Sequence, residues 1–524
     1  MEQDWLFGWL SGQALSVILA LIPIVWLFIS LGLLRMAAFK ACPVGLALSL
    51  LIAVTAWEMP AALAVRAALE GAVLALMPIL WVIIAAFFTF NVSVRTGAME
   101  RIKVQLSSLS GDRRVQVLLI AWGFGGFLES VAGFGTAVAI PAAILISLGF
   151  EPFFAALLCL IANTVAVAFG VIGIPVITLA KITDLPVMPL TQDVVWQLTP
   201  FALLIPFLLV ATVTRSWRGL NGVWIITLSA GVGFSVAQFL VARFIGPDLP
   251  AVAGSLASCL AILASVKALP PAAEWRFPGE AATPARVARF SPVKQLQAWS
   301  PYLLLLLLVL GTSTLNPAVN GPLSQVKTLL LLYNGPGGKP LAIDWILTPG
   351  TLIMAAAVSG GLLQGASCRA LAAVLLDTVR QLQKTMAAVL AIVAMAKVLA
   401  YSGMVAAVAV ALAAATGPYY PLFAPAIGAL GTFLTGSDTS SNVLFGSLQK
   451  ETALRIGADP SWIAAANTSG ACAGKLISPQ SIAIAASATG LTGREGELLK
   501  ATFKYAIGFS LALGLLTFFF AAAA

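Results

Sequence analysis

Apolar runs of about 20 residues recur along nearly the whole chain, divided by short and often basic connections. That is the length a helix needs to cross a hydrocarbon core of about 30 Å. About twelve such runs read as spans. In the first half they are Ala14–Leu34, Cys42–Trp57, Gly71–Asn91, Pro152–Gly173 and Trp196–Thr214. Val223–Val241 and Ala251–Val266 follow, then Pro301–Leu315, Ile346–Leu363, Gln381–Ala400, Trp462–Ala486 and Tyr505–Phe520.

Two further apolar segments are interrupted. Val115–Leu128 runs into Glu129-Ser-Val-Ala-Gly-Phe-Gly135 and resumes as Thr136–Gly149. Each arm has about 14 residues, too short to span, so a re-entrant hairpin over about 115–149 is predicted. Ala424–Leu448 breaks in the same way and predicts a second hairpin over about 420–450. Backbone broken at membrane depth is tolerated only inside protein or beside a polar cavity.

The two halves repeat each other at a separation of about 306 residues. Gly125-Gly-Phe-Leu128 matches Gly431-Thr-Phe-Leu434, and Gly149-Phe-Glu-Pro152 matches Gly457-Ala-Asp-Pro460. Ala162-Asn-Thr164 matches Ala466-Asn-Thr468, with Pro175 and Pro479 the same distance beyond. Counting spans from the basic loops gives the copies opposite orientations, the mark of an inverted-repeat secondary transporter. The expected fold is an all-α polytopic membrane protein with about 12 transmembrane helices and two re-entrant hairpins. Residues 1–218 form the first repeat, 219–299 two linking helices and a cytoplasmic linker, and 300–524 the second repeat.

Composition sharpens this picture. The chain is 60% hydrophobic and 9% charged, against about 25% charge in a soluble domain. Its net charge of +9 sits largely in short loops on one side, where it reports orientation and not nucleic-acid binding. Arg35, Lys40, Arg95, Arg101, Arg113, Arg114, Arg215 and Arg218 are thereby placed in the cytoplasm, and the acidic N-terminus outside, ahead of an uncleaved first span. The stretch Lys267–Ser300, with Arg276, Arg286, Arg289 and Lys294 among prolines, reads as the cytoplasmic linker. Five scattered cysteines without a CxxC pair read as packing residues. With 0 histidines, no His-ligated metal or haem is expected, no cofactor is called for, and any proton relay must use carboxylates. An enzyme would need a nucleophile–base pair or metal ligands that the chain does not offer.

The chemistry is expected where the two hairpin tips meet the two Asn-Thr breaks. The first half contributes Glu129, Ser130, Gly133, Gly135, Asn163 and Thr164. From the second come Ser437, Thr439, Ser440, Ser441 and Asn442, then Asn467, Thr468, Lys475, Ser478 and Gln480. Glycines let backbone approach a ligand, and half-helix N-termini aim amides at an anion. The hydroxyls and amides suit a carboxylate with an adjacent hydroxyl, or alternatively bond helix to helix. Glu129 and Asp438 are the proton-coupling candidates, since a carboxylate at this depth costs roughly 2.5–3.5 kcal/mol unless it works or is partnered. The same two acids also fit an ion pair or a cap at a hairpin tip. Lys475 suits a substrate carboxylate or a permanent partner of Asp438 or Glu129, whereas Lys397 reads as snorkelling from a span end.

At these stretches the sequence resembles the bacterial L-lactate permease family, which includes the glycolate permeases. Gly125-Gly-Phe-Leu-Glu-Ser-Val-Ala-Gly-Phe-Gly135 and Asn163-Thr-Val-Ala-Val-Ala-Phe-Gly-Val-Ile-Gly-Ile-Pro175 carry the likeness in the first half. Gly436-Ser-Asp-Thr-Ser-Ser-Asn442 and Gly474-Lys-Leu-Ile-Ser-Pro-Gln-Ser-Ile-Ala483 carry it in the second. The resemblance covers most of the chain. It implies uptake of L-lactate, D-lactate and glycolate with protons across the bacterial inner membrane. A sodium-coupled carrier of another carboxylate or dicarboxylate is the alternative. The broken hairpins also look more distantly like those of sodium-coupled dicarboxylate carriers, which implies an elevator-type scaffold and transport domain. Protons, the substrate and lipid are the expected partners, with room for a homodimer. Departures near Ser130 and Thr136 bear on substrate preference.

Overall fold

The computed structural model describes residues 13–34, 36–107, 109–133, 135–271, 274–277, 291–313 and 315–521. The acidic N-terminus, Arg35, Phe134 and the linker positions Arg286 and Arg289 lie outside the described residues. Apart from one β-hairpin, Lys327–Leu330 paired antiparallel with Leu341–Asp344, the regular structure among them is helical.

Among the described residues, 10 helical segments are long and apolar enough to cross a membrane, against about twelve expected from the sequence. Four expected spans, Ala14–Leu34 among them, turn out short or broken, while Val165–Thr183 and Met404–Thr435 are long enough to cross although neither was expected as a span. Trp462–Ala486, expected as one span, is two helices, Pro460–Lys475 and Pro479–Ala488. Pro479 has no N–H to donate and drives Ser478 to an extended ψ of 132°, so the helix cannot run through. Pro152–Gly173 breaks at Asn163-Thr164, and the chain continues as Val165–Phe169 and then Gly170–Thr183. Ile346–Leu363 begins only at Pro349 and has 15 helical residues.

The first interrupted segment is a helix–turn–helix. Its first arm runs from Arg113–Val117 through a π-helical stretch, Leu118–Phe124, into Gly125–Val131. The second arm is Thr136–Ser147, and Gly133 and Gly135 turn the chain at φ +57° and +90°. Asp112 caps Arg114 N and pairs with its guanidinium at 2.7 Å. Arg114 in turn donates to the carbonyls of Gly219 and Asn221, tying this arm to the turn after Val187–Thr214. The second interrupted segment is Tyr420–Thr435, a turn at Gly436 (φ +73°), and Asp438–Ile456.

Tyr420–Thr435 crosses Pro460–Lys475 backbone to backbone. A Cβ at Gly428 would collide with the Asn467 carbonyl, one at Gly470 with that of Pro425, and one at Gly474 with that of Ala429. Small residues at this spacing let membrane helices approach until their main chains touch.

Lys397 does not snorkel. On the long helix Cys368–Tyr401 it pairs at 3.1 Å with Glu70, a buried acid on Ala61–Leu74. Tyr401 donates its hydroxyl to the same Glu70 oxygen at 2.6 Å, and Tyr333 N donates to the other at 3.3 Å. The pairing wins because Glu70 is too deep to be left without a counter-charge. Lys397→Met should therefore cost about 3–5 kcal/mol, since it strands a buried carboxylate. Glu70→Gln/Lys397→Met should recover much of that loss. Thermal unfolding in detergent reads both, and an unchanged single variant would refute the pairing's role.

Candidate functional site

A cavity of about 400 Å³ lies between the second hairpin tip, the two broken helices and the helix Cys368–Tyr401. Its two walls differ in chemistry. One carries Glu129, Asp438, Lys475 and Gln480, with the hydroxyl groups of Thr435–Ser440. The other is built largely from Ala38–Thr55 and Cys368–Tyr401 and is mostly aliphatic, with Phe39, Cys42, Lys384 and Thr385 as its exceptions.

Asp438 is placed by the turn that precedes it. Gly436 takes a left-handed conformation, which a side chain resists, and a Cβ there would strike Gln480. Ser437 then caps the helix Asp438–Ile456, its hydroxyl accepting from Ser440 N at 3.3 Å. Asp438 is left at the start of that helix with its side chain buried. Its Oδ1 accepts from the Thr468 hydroxyl at 2.9 Å, and Oδ2 has no protein partner.

Thr468 is the near end of a chain of polar contacts. Asn442 donates to the Thr468 hydroxyl and, at 3.1 Å, to the Pro175 carbonyl. Asn467 donates to Asn442 Oδ1 at 2.9 Å, and Gln449 donates to Asn467 Oδ1 at 3.1 Å. Tyr420 closes the chain with a 2.7 Å bond to Gln449 Oε1. The network joins both arms of the second hairpin to Pro460–Lys475, and its cavity end is Asp438. A buried network whose members satisfy one another fixes geometry.

Glu129 approaches from the first hairpin, about one turn before its tip, also buried and with Oε2 unpartnered. Room for it comes from Gly170, where a Cβ would lie 3.1 Å from Glu129 Oε1. Beyond Gly170 the chain makes a left-handed turn at Val171, Ile172 and Gly173, with φ of +47°, +54° and +73°. Two β-branched residues in that region cost roughly 1–3 kcal/mol each, and such strain clusters at functional sites. Gly170, Val171, Ile174 and Pro175 line the cavity here. Lys475 donates from its ammonium to the Gly436 carbonyl at 3.1 Å, which anchors it at the hairpin tip.

Of the residues singled out in the sequence, Glu129, Ser437, Asp438, Thr439, Ser440, Lys475 and Gln480 line this cavity. Asn442, Asn467 and Thr468 stand behind it, holding Asp438. Ser130, Thr164 and Ser441 bond backbone carbonyls of Gly126, Ile161 and Gly428, and Ser478 bonds Ser481. Gly133 and Gly135 pack against Val171 and Ile484. Asn163 is buried with both amide atoms unpartnered, and it too is outside the cavity lining. Sequence reasoning missed Lys384 and Thr385. They sit where a predicted span begins, in Gln381-Leu-Gln-Lys-Thr385, and nothing local distinguishes such a lysine from one that snorkels. Gln449, a buried amide in an arm of the second hairpin, is legible in the sequence as a polar residue at the end of an apolar segment. Among the described residues, no group of three or more His, Cys, Asp or Glu could hold a metal ion.

The model of a family described as L-lactate permease matches residues 16–523. An L-lactate permease from Streptococcus iniae is 44% identical, covering 87% of this chain and 95% of that one. An L-lactate permease from Bacillus subtilis is 38% identical, covering 96% and 95%. The glycolate permease GlcA of Escherichia coli is 37% identical, covering 97% and 96%. Among solved structures, the Alcanivorax borkumensis YdaH transporter aligns over 84% of each chain at 15% identity, with a TM-score of 0.46.

Proposed function

This chain belongs to the L-lactate permease family, and from that premise we propose that it imports L-lactate, D-lactate and glycolate by proton symport across the bacterial inner membrane. It is a multi-pass permease and not an enzyme. Relatives at 34–44% identity bear the names of lactate and glycolate permeases, which is the ground for the substrate class.

The observation that carries the coupling is Asp438. It is a buried carboxylate on the cavity wall, with one oxygen held by Thr468 and the other unpartnered. A second acid, Glu129, lines the same cavity. In a chain with 0 histidines, these two carboxylates are the lining groups able to carry a proton beside the substrate. The substrate carboxylate would lie at the start of Asp438–Ile456, where Thr439 and Ser440 line the cavity and could offer their hydroxyls at the positive end of the helix. Its 2-hydroxyl would reach Gln480 or Ser437. Ser130, Gly133, Gly135, Asn163, Thr164, Ser441 and Ser478 would shape the hairpin tips and breaks around it. Asn442, Asn467 and Thr468 would hold Asp438 in register.

The two helix–turn–helix units, each followed by an Asn-Thr-bearing helix that is interrupted at the pair in the first half and beyond it, before Pro479, in the second, support the inverted-repeat reading with boundaries near 218 and 300. They would move together past Cys368–Tyr401 in an elevator-like step, in a protein that has room to act as a homodimer. Purified protein in liposomes, given labelled lactate or glycolate under an inward proton gradient, tests the proposal. Accumulation without sodium is expected. Uptake that requires sodium, or no uptake of either acid, would overturn it.

A further inference from the structure

Lys384 is the one cation on the aliphatic wall among the residues lining the cavity. It stands on Cys368–Tyr401, a helix outside both hairpins, and its ammonium lies 5.5 Å from the centre of the Phe39 ring. It is exposed, and no carboxylate among the described residues pairs with it. Lys475, across the cavity, is buried and engaged with the Gly436 carbonyl. The four charged residues of the lining are Glu129, Asp438, Lys475 and Lys384. With Lys384 present the two lysines balance the two acids. Without it the lining carries an excess negative charge, which repels a carboxylate.

Phe39 and Lys384 also mark which end of the cavity they serve. Phe39 adjoins Lys40, in the basic connection between the first two spans that the charge pattern assigns to the cytoplasm. From this placement we infer that Lys384 sets carboxylate affinity on the cytoplasmic face alone, as a fixed positive charge that meets the substrate when the cavity opens there. The inference rests on the carboxylate reading of the site. The residue acts by electrostatic attraction at a partly hydrated mouth, so its effect is of moderate size and screened by salt.

Changing affinity on one face leaves the equilibrium accumulation ratio untouched, because that ratio is set by the driving gradients. The test compares right-side-out and inside-out membrane vesicles carrying wild type, Lys384→Glu, Lys384→Gln or Lys384→Arg, with labelled lactate as the probe. The half-saturation concentration from the cytoplasmic face should rise about three- to tenfold for Lys384→Gln and more for Lys384→Glu. It should stay near wild type for Lys384→Arg and shift by less than about twofold from the outer face. The rise should shrink as ionic strength increases.

Surface-expressed Lys384→Gln with unchanged half-saturation on both faces would overturn the inference, as would an equal rise on both. A wild-type protein that takes up neither lactate nor glycolate would instead remove the substrate reading beneath it. Should Lys384→Glu fail to fold, the Gln and Arg pair decides.

Discussion

Asp438→Asn is expected to abolish proton-driven accumulation of substrate while leaving exchange of labelled for unlabelled substrate partly intact. The substitution keeps the shape of the side chain, and an amide oxygen can accept the 2.9 Å bond from Thr468 that the carboxylate accepts now. The network from Tyr420 to Thr468 therefore stays assembled. What is lost is the ability to gain and release a proton. One pH unit of gradient is worth 1.36 kcal/mol, or about tenfold accumulation per proton carried. The variant should fall to a ratio of about one under the same gradient, while exchange, which needs no net proton movement, continues at a reduced rate. Normal accumulation by well-expressed Asp438→Asn would sink the assignment and turn attention to Glu129. Parallel measurement of Glu129→Gln separates the two acids directly.

Gly470→Val should eliminate folded protein. Any Cβ at this position collides with the Pro425 carbonyl, and backbone, unlike a flexible side chain, has nowhere to go. Valine adds two further methyl groups and a stiff χ1. Overpacking a tight contact commonly costs 1–3 kcal/mol, and a main-chain clash repeated along one helix crossing costs about that or more. Gly428 and Gly474 line the same crossing, so the strain cannot be relieved by a small shift of either helix. The crossing also carries Asn467 and Thr468, so forcing it apart would detach Asp438 from its partner. Gly496→Ala is the control, since nothing lies within 4 Å of its new methyl. Size-exclusion profiles in detergent should show a normal peak for Gly496→Ala and none for Gly470→Val. A monodisperse Gly470→Val would refute this account of the helix crossing.

Much of the architecture was readable because membrane insertion imposes a strict local code. Spans need uninterrupted apolar length, and Gly-rich or Asn-Thr interruptions stand out against them. Both helix–turn–helix segments begin and end within a few residues of where the apolar pattern breaks. The chain does break at Asn163-Thr164, but the second expected Asn-Thr break is absent: Pro460–Lys475 runs through Asn467-Thr468, whose amide and hydroxyl bond neighbouring side chains, and the interruption comes before Pro479. The two cavity acids, Glu129 and Asp438, were conspicuous under the same code: a carboxylate inside an apolar run is costly unless it is partnered or put to use.

What sequence could not supply was which side each polar group faces. Asn442, Asn467 and Thr468 looked like ligand-binding residues, and so did Ser440 beside them. Packing alone turns Ser440 to the cavity and the other three to one another. Lys397 and Lys384 lie near opposite ends of the apolar run Gln381–Ala400, indistinguishable by spacing. One finds Glu70, a residue more than three hundred positions earlier, and the other opens onto the cavity. The sequence by itself thus determined the membrane class, the two hairpins and the two acids of the cavity, because each follows from the cost of placing a group in lipid. Tertiary structure decided the partners, because a hydrogen bond or ion pair depends on distance and direction across helices that the chain's order does not encode.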